Sequence, residues 1–426
     1  MNIPHDSEKL NMNLKIGKIK KCQICESKNF QKIINFGNIT PCDSLVKKKD
    51  LDKKQNKYPL NFIRCRDCGL VQIDYVVNPK ELFHLDYPYK SGITKDLKKN
   101  LEKISKHLNS NYKNYNNKLV VDIGSNDGSI LKGFKKIGYN VLGVEPTNIA
   151  KVANKNGINT IQKFFNYSLS NEIKKKYGQA TIITASNVFA HVNNTSDLLK
   201  GVHNLLNDNG VFVSESHYLG SIIDKLQFDS IYHEHLKYYS IKPMIHLFTK
   251  HNFIFEKVEK ISNYGGSIRV YARKNKNKYI IGSSVKNLLN QEIKKGYYND
   301  TIFKNFAKKI YKFKKKFIFL ISSLIKNKKK IIGIGCPGRA MTLLEYCGLN
   351  DKSISYIAEQ KESLKLGMYT PGTKIPVIDE KIAIKSQPDY AIMLSWHYAK
   401  TIIINLRKKG LKSTILIPLP KFKFIK

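Results

Sequence analysis

Short, nearly continuous apolar runs alternate along most of this chain with stretches whose apolar residues recur every three or four positions. Leu119-Val120-Val121 reads as the end of a buried strand, Ser129 to Lys136 as a helix, and Tyr139 to Glu145 as a second strand ending in a carboxylate. Thr181 to Ala185 is a further buried strand, and Gly210 to Glu215 another that follows an Asn-Asp-Asn-Gly turn. Phe253 to Lys260 and Ser267 to Arg273 read as a closing pair. Such alternation predicts a mainly parallel, doubly wound α/β sheet. Asp300 to Lys330 reads as one long basic helix that packs one face inward; a membrane-surface role for its stretch Phe317 to Ile321 is the rival reading. At Ile331 the pattern restarts as strand, glycine turn and helix. The regions expected are therefore 20–80, 81–275, 276–330 and 331–426.

The net charge of +41 over 426 residues changes this picture little. Only six of the 74 basic residues are arginine, at 64, 66, 269, 273, 339 and 407, and no arginine patch with interleaved aromatics occurs. The lysine excess reads as compositional drift over solvated faces, so a nucleic-acid partner is not expected, whereas a small anionic substrate would be drawn in. No apolar run approaches the roughly 20 residues needed to cross a bilayer. Met1 to Lys21 lacks the apolar core of a signal peptide. A cytoplasmic protein with no membrane partner is expected, as a monomer or weak oligomer.

Four of the seven cysteines form matched pairs, Cys22-Gln-Ile-Cys25 and Cys65-Arg-Asp-Cys68. Each Cys-x-x-Cys turn can offer two thiolates to one tetrahedral metal, and two such knuckles complete a four-cysteine zinc site. Four thiolates leave no open coordination position, so the role is structural. Disulfides are the alternative, disfavoured in a chain without an export signal. Cys42, Cys336 and Cys347 read as buried small side chains.

The stretch Asp122-Ile123-Gly124-Ser125-Asn126-Asp127-Gly128 between the first strand and helix is the main candidate for chemistry. A glycine turn there lets a ligand lie against bare backbone, and Glu145 at the next strand end can chelate two ribose hydroxyls. A dinucleotide would need Gly-x-Gly-x-x-Gly for its pyrophosphate, and two acidic residues beside the turn would repel it. A sulfonium cation with an amino-acid tail would be favoured instead, and a ligand-free glycine turn is the remaining alternative. The pattern resembles the S-adenosylmethionine (SAM) loop of class I methyltransferases. The restart at Gly333-Ile334-Gly335-Cys336-Pro337-Gly338-Arg339 has Rossmann form, but Pro337 removes a backbone donor and no acidic residue stands convincingly at the next strand end. This half is expected to keep the fold without holding a dinucleotide, with Arg339 free to grip a phosphate.

Phe228 to Ser240 concentrates Tyr232, His233, Glu234 and His235 just beyond the strand ending at Glu215, where doubly wound folds place substrate. A polar loop stabilised by its own hydrogen bonds is the plain alternative. A His-Glu-x-x-His metal motif is absent.

Taken in order, the cysteine knuckles, Tyr87-Pro88-Tyr89-Lys90-Ser91-Gly92, Asp122 to Gly128, Asn187-Val188-Phe189-Ala190-His191-Val192, Ile231 to His235 and Gly265-Gly266-Ser267-Ile268-Arg269 resemble the SAM-dependent sugar C-methyltransferases, which act on nucleotide-linked 4-keto-deoxysugars. The resemblance runs from Cys22 to the C-terminus. It implies an N-terminal domain with structural Zn2+, a central class I SAM domain and a C-terminal Rossmann-like domain that helps cradle the nucleotide-sugar. By the same resemblance His235 is the base that removes a proton beside the ketone, and C-3 is the expected carbon. Glu234 would orient the base or bind the sugar. Tyr232 and His191 would donate hydrogen bonds to the keto oxygen or enolate, and Tyr87 and Tyr89 would close the sugar pocket. Asp122, Gly124, Asn126 and Gly128 would contact the methionyl part of SAM, Glu145 its ribose and Phe164 its adenine, with Asn187 closing the turn after the third strand. Arg269 and Arg339 are the candidate substrate-binding cations. Methylation of oxygen or nitrogen on a small metabolite, and a zinc-containing nucleic-acid-binding protein with an inert Rossmann domain, are the alternatives.

Overall fold

The computed structural model describes residues 16–83, 104–112, 118–276 and 280–426. Tyr87 and Tyr89 lie outside them. Seven strands form the central sheet in the order Phe253–Ile261, Ser267–Lys274, Leu206–His217, Ala180–Ser186, Leu119–Ile123, Asn140–Val144, Thr160–Ile161. All run parallel except Ser267–Lys274, which is antiparallel to both neighbours. The central strands are buried on both faces, which is why their sequences read as continuous apolar runs. The helix Ser129–Lys136 falls where its sequence places it. The expected Asn-Asp-Asn-Gly turn is instead absorbed into a longer strand as an irregularity in pairing between Leu206 and Val211. Chain order reverses between Leu119–Ile123 and Ala180–Ser186, so a crevice opens beyond their carboxyl ends.

The cysteine region builds a separate four-stranded antiparallel sheet, ordered Lys237–Tyr238, Val71–Ile73, Tyr58–Cys65, Phe30–Ile39. Its edge strand comes from the far side of the Tyr-His-Glu-His segment. Tyr239 then bridges to Tyr218, just beyond the strand Leu206–His217 of the central unit. The segment is thus stretched between two sheets and held at both ends.

The helix Asp300–Lys326 buries Phe303, Phe306, Ile310, Phe313, Phe317 and Ile321, a stripe at helical spacing. Each such side chain contributes about 1.5–3 kcal/mol when buried, which decides for the inward-packed reading even though Phe319 is 77% exposed. Among the described residues no helix is long and apolar enough to cross a membrane.

Six strands make the C-terminal sheet, ordered Val377–Asp379, Ile357–Glu359, Ile331–Ile334, Tyr390–Met393, Thr414–Ile417, Lys423–Ile425, parallel but for the last. It docks on the central unit through a buried ion pair. Arg339 donates to both carboxylate oxygens of Asp229, at 2.8 and 2.7 Å, and Trp396 Nε1 donates to the same carboxylate at 2.8 Å. Asp229 is 1% exposed and Arg339 7%. Removing one partner strands a buried charge, so Asp229→Ala is expected to lower stability by about 3–5 kcal/mol in denaturant unfolding.

Candidate active site

The glycine turn after the first central strand is shaped by sterics. Gly124 has φ +68°, and a Cβ there would lie 2.5 Å from Val188 Cγ2. Behind the turn, Asn126 N donates to Glu145 Oε2 at 3.0 Å, while Thr147 N and Oγ1 donate to Oε1 at 2.9 and 2.7 Å. Asp122 is 2% exposed and accepts from Thr184 Oγ1 at 2.6 Å. Burial pushes its carboxyl up to about 7. Asp122, Gly124, Asn126 and Glu145 all line one cavity of about 1030 Å3. Phe164 and Asn187 line it too; Phe164 is 37% exposed and Asn187 turns the chain at φ +57°. Gly128 does not reach the cavity: it faces Ile158, 3.0 Å from where its Cβ would stand, so it serves the turn.

Tyr232, Glu234, His235 and His191 line the same cavity. His235 Nδ1 lies 3.0 Å from Ser230 O. A carbonyl only accepts, so Nδ1 carries the proton and Nε2 is left as the acceptor for the Tyr232 hydroxyl at 3.0 Å. Desolvation, then the neighbouring His191 and His217 rings, holds the His235 pKa well below the usual imidazole range. The ring is neutral at ordinary pH. His191 packs edge-on against it with centroids 4.8 Å apart, and burial lowers its pKa to about 4. The Glu234 backbone carbonyl accepts from the His191 ring, and His191 Nδ1 is buried with no hydrogen-bond partner among the described residues. With its N–H given to that carbonyl, a neutral His191 has no second proton to donate, so a donor role toward an enolate requires this bond to be exchanged. Glu234 is held by Cys42, whose thiol donates to Oε1 at 3.2 Å. His233 turns away, with Nε2 3.2 and 3.3 Å from the Tyr58 and Pro59 carbonyls, and pins the segment to the N-terminal sheet.

Neither candidate arginine is available for a ligand. Arg269 donates twice to Glu215, at 3.2 and 2.8 Å, and does not line the cavity. Arg339 touches the cavity wall, but Asp229 and Gln227 take its Nε and Nη2, so that part of the guanidinium joins domains, while Nη1 donates to the Tyr264 carbonyl at 3.3 Å. Asp43, His217, Lys365 and His397 are among the lining residues that escaped the sequence reading. His217 ends its strand and His397 stands four residues past Tyr390–Met393, and the rule that these sheets bind ligands there could have flagged them. Asp43 and Lys365, paired at 2.7 Å, meet only through the fold.

Cys22, Cys25, Cys65 and Cys68 bring their Sγ atoms within 4.8 Å of one another. Cys22 and Cys68 approach to 3.5 Å, as do Cys25 and Cys65. A tetrahedral ion with Zn–S bonds of about 2.3 Å requires S···S of about 3.8 Å, so the four thiols fit such an ion. Gly69, at φ +82°, makes the tight turn after Cys68.

In the C-terminal unit an acidic residue does end the second strand, contrary to expectation. Glu359 accepts from Cys336 N at 2.7 Å and lines the same cavity.

A glycine turn over an acidic pocket, a neutral histidine in the same cavity and a four-thiol knuckle define a methyltransferase with an N-terminal metal-binding unit. Three family descriptions match the chain in succession: "Putative zinc binding domain" over residues 22–83, "Methyltransferase domain" over 89–258, and "C-methyltransferase C-terminal domain" over 262–420. Together the three matches describe a C-methyltransferase with an N-terminal domain of the zinc-binding kind. The chain is similar to the C-methyltransferase NovU of Streptomyces niveus, with 29% identity over 410 residues, 96% of this chain and 97% of that protein. Among solved structures, the PH0226 protein of Pyrococcus horikoshii OT3 superposes with TM-score 0.34 at 15% identity, over 46% of this chain and 96% of that one. The magnesium protoporphyrin IX methyltransferase of Synechocystis PCC 6803 with bound SAM gives TM-score 0.32 at 11% identity, over 41% and 78%.

Proposed function

We propose that this SAM-dependent C-methyltransferase methylates the carbon next to the ketone of a nucleotide-linked 4-keto-deoxysugar, at C-3, through a histidine-promoted enolate. One observation carries the reading: the glycine turn and the Tyr232–His235 pair line a single cavity. At about 1030 Å3 it stands at the top of the ordinary range of about 300–1,000 Å3 for single small-molecule sites, which suits two ligands.

A carbon nucleophile requires loss of a C–H proton, and the accessible one is acidified by an adjacent carbonyl. His235 supplies the base, already neutral and with its lone pair fixed at Nε2 by the Ser230 carbonyl. Substrate entry exchanges the Tyr232 O–H···Nε2 bond. The hydroxyl turns to the keto oxygen, and Nε2 faces the C–H. Desolvation keeps the Tyr232 phenol protonated, with its pKa well above the usual tyrosine range, so it can donate to the developing enolate. The proton passes to Nε2, the C–H electrons become the enolate, and that carbon takes the methyl as the C–S bond breaks. SAM supplies the electrophilic methyl. Glu145 holds its ribose, Phe164 its adenine, and Asp122, Gly124 and Asn126 its methionyl part. The cysteine cluster holds a structural Zn2+.

Mixing the enzyme with labelled SAM and a panel of dTDP-, GDP- and CDP-4-keto sugars tests the reading: a new C–CH3 resonance at a sugar carbon is expected. A methyl on oxygen or nitrogen would overturn it. The pH dependence of SAM binding gives a second check. With its carboxyl at about 7, Asp122 is ionised above that pH and favours a cation, and it takes up a proton below it. SAM affinity measured by calorimetry is therefore expected to weaken as pH falls through 7, with Asp122→Asn flattening the profile.

A further inference from the structure

The strand Leu206–His217 ends on a histidine that the transfer steps above leave unused. His217 lines the cavity and is 8% exposed. Its tautomer is set from behind by Gln227, which is fully buried. Gln227 Nε2 donates to Gly265 O at 3.0 Å and to Ser221 O at 3.2 Å, while Arg339 Nη2 donates to Gln227 Oε1 at 3.1 Å. Turned the other way, the amide would press its NH2 on a guanidinium and its oxygen on two carbonyls. Oε1 is therefore the atom 3.1 Å from His217 Nε2, and since it only accepts, Nε2 carries the ring proton. Desolvation, then the Arg339 charge, lowers the His217 pKa to about 3, so the ring is neutral and Nδ1 is a bare lone pair. Among the described residues no donor reaches Nδ1, and unlike Nδ1 of His191 and of His397 it is not sealed away from solvent. His217 also neighbours His235, whose pKa it helps to lower.

We infer that His217 is a specificity residue whose Nδ1 accepts a hydrogen bond from an O–H or N–H on the ring of the acceptor sugar. This rests on the nucleotide-sugar reading above. On a sugar methylated at C-3 beside a C-4 ketone, the donors within reach of a group next to His235 are the hydroxyl or amine of C-3 and the hydroxyl of C-2. An acceptor with no proton to spare suits that place. The one proton of His217 is committed to Gln227, so the ring cannot return a proton to the enolate carbon and does not compete with Tyr232 for the keto oxygen. A sugar without the donor leaves the lone pair unmatched in a largely desolvated site, which weakens binding by about five- to a hundred-fold.

Calorimetric titration of the full chain, saturated with S-adenosylhomocysteine, tests this with the dTDP-, GDP- or CDP-4-keto-6-deoxyhexose that binds best, and with its 2-deoxy and 3-deoxy-3-fluoro forms. In the wild-type protein one of the two analogues is expected to bind about five- to a hundred-fold more weakly than the parent, which tells the C-2 donor from the C-3 donor. His217→Gln carries a donor to Gln227 but no acceptor where Nδ1 stands, and should weaken the parent sugar to the level of that analogue. His217→Asn sets its amide oxygen at the Nδ1 position and should recover most of the loss. A role confined to the joint with Gln227 and Arg339 gives the reverse order, with Gln spared and Asn impaired, and overturns the assignment. So do two analogues that bind the wild-type protein as tightly as the parent, whatever the variants do. Binding of no sugar of the panel by a chain that still binds S-adenosylhomocysteine would overturn the nucleotide-sugar reading as well.

Discussion

Replacing His235 by glutamine lowers turnover by about 10²- to 10⁴-fold, the usual contribution of a positioned general base, while SAM affinity stays at the wild-type value. Glutamine keeps a donor near the Ser230 carbonyl but offers no nitrogen lone pair to a C–H proton. Because His235 is neutral and its pKa lies well below the usual imidazole range, the wild-type rate has no acid limb near 6.5 arising from this ring. Tyr232→Phe removes the donor to the keto oxygen and leaves Nε2 unpartnered, so it too loses rate without losing the methyl donor. Solvent-deuterium exchange at the sugar carbon in the absence of SAM separates the two: it vanishes in His235→Gln. Wild-type turnover in His235→Gln would remove the residue as base and direct attention to the free Nδ1 of His191.

Loss of the metal is the second large effect. The four-cysteine cluster clamps the hairpin Phe30–Ile39 and Tyr58–Cys65, and structural zinc sites contribute roughly 10–16 kcal/mol of apparent binding free energy in isolated fingers. The edge strand of that sheet is Lys237–Tyr238, directly after His235. Lys237 is buried and donates to the Val192 and Asn193 carbonyls at 2.6 and 3.2 Å, next to His191. Chelation, or Cys22→Ser with Cys65→Ser, is therefore expected to speed hydrogen exchange in both 30–76 and 231–240 and to abolish methyl transfer. SAM binding at the central turn survives. Metal analysis should return about one zinc per chain in the untreated protein; native exchange in 231–240 after chelation would break the proposed link.

The central sheet was legible because strands covered on both faces must be apolar throughout, and Asp122 to Gly128 with Glu145 carries its ligand geometry in its spacing. The cysteine knuckles were legible for the same reason. The roles of Arg269 and Arg339 were not: a guanidinium in a sequence does not say whether its acid is a ligand or an internal carboxylate, here Glu215 and Asp229. Ile357-Ala358 is too short a run to announce a strand, which hid Glu359 at its end. The tautomer of His191 depends on a carbonyl from a distant segment. Asp43 reaches the cavity, and Cys42 reaches Glu234 on its wall, only after three units have assembled.

That last meeting has a practical corollary. Asp43 comes from the first unit, Glu234 from the middle and Lys365 from the last, and all three border one chamber. An excised 118–276 fragment would keep its grip on the methyl donor yet lack part of the wall around the acceptor. Chimaeras that exchange whole modules between relatives will succeed only when the loop around Cys42 and Asp43 travels together with the partners it meets.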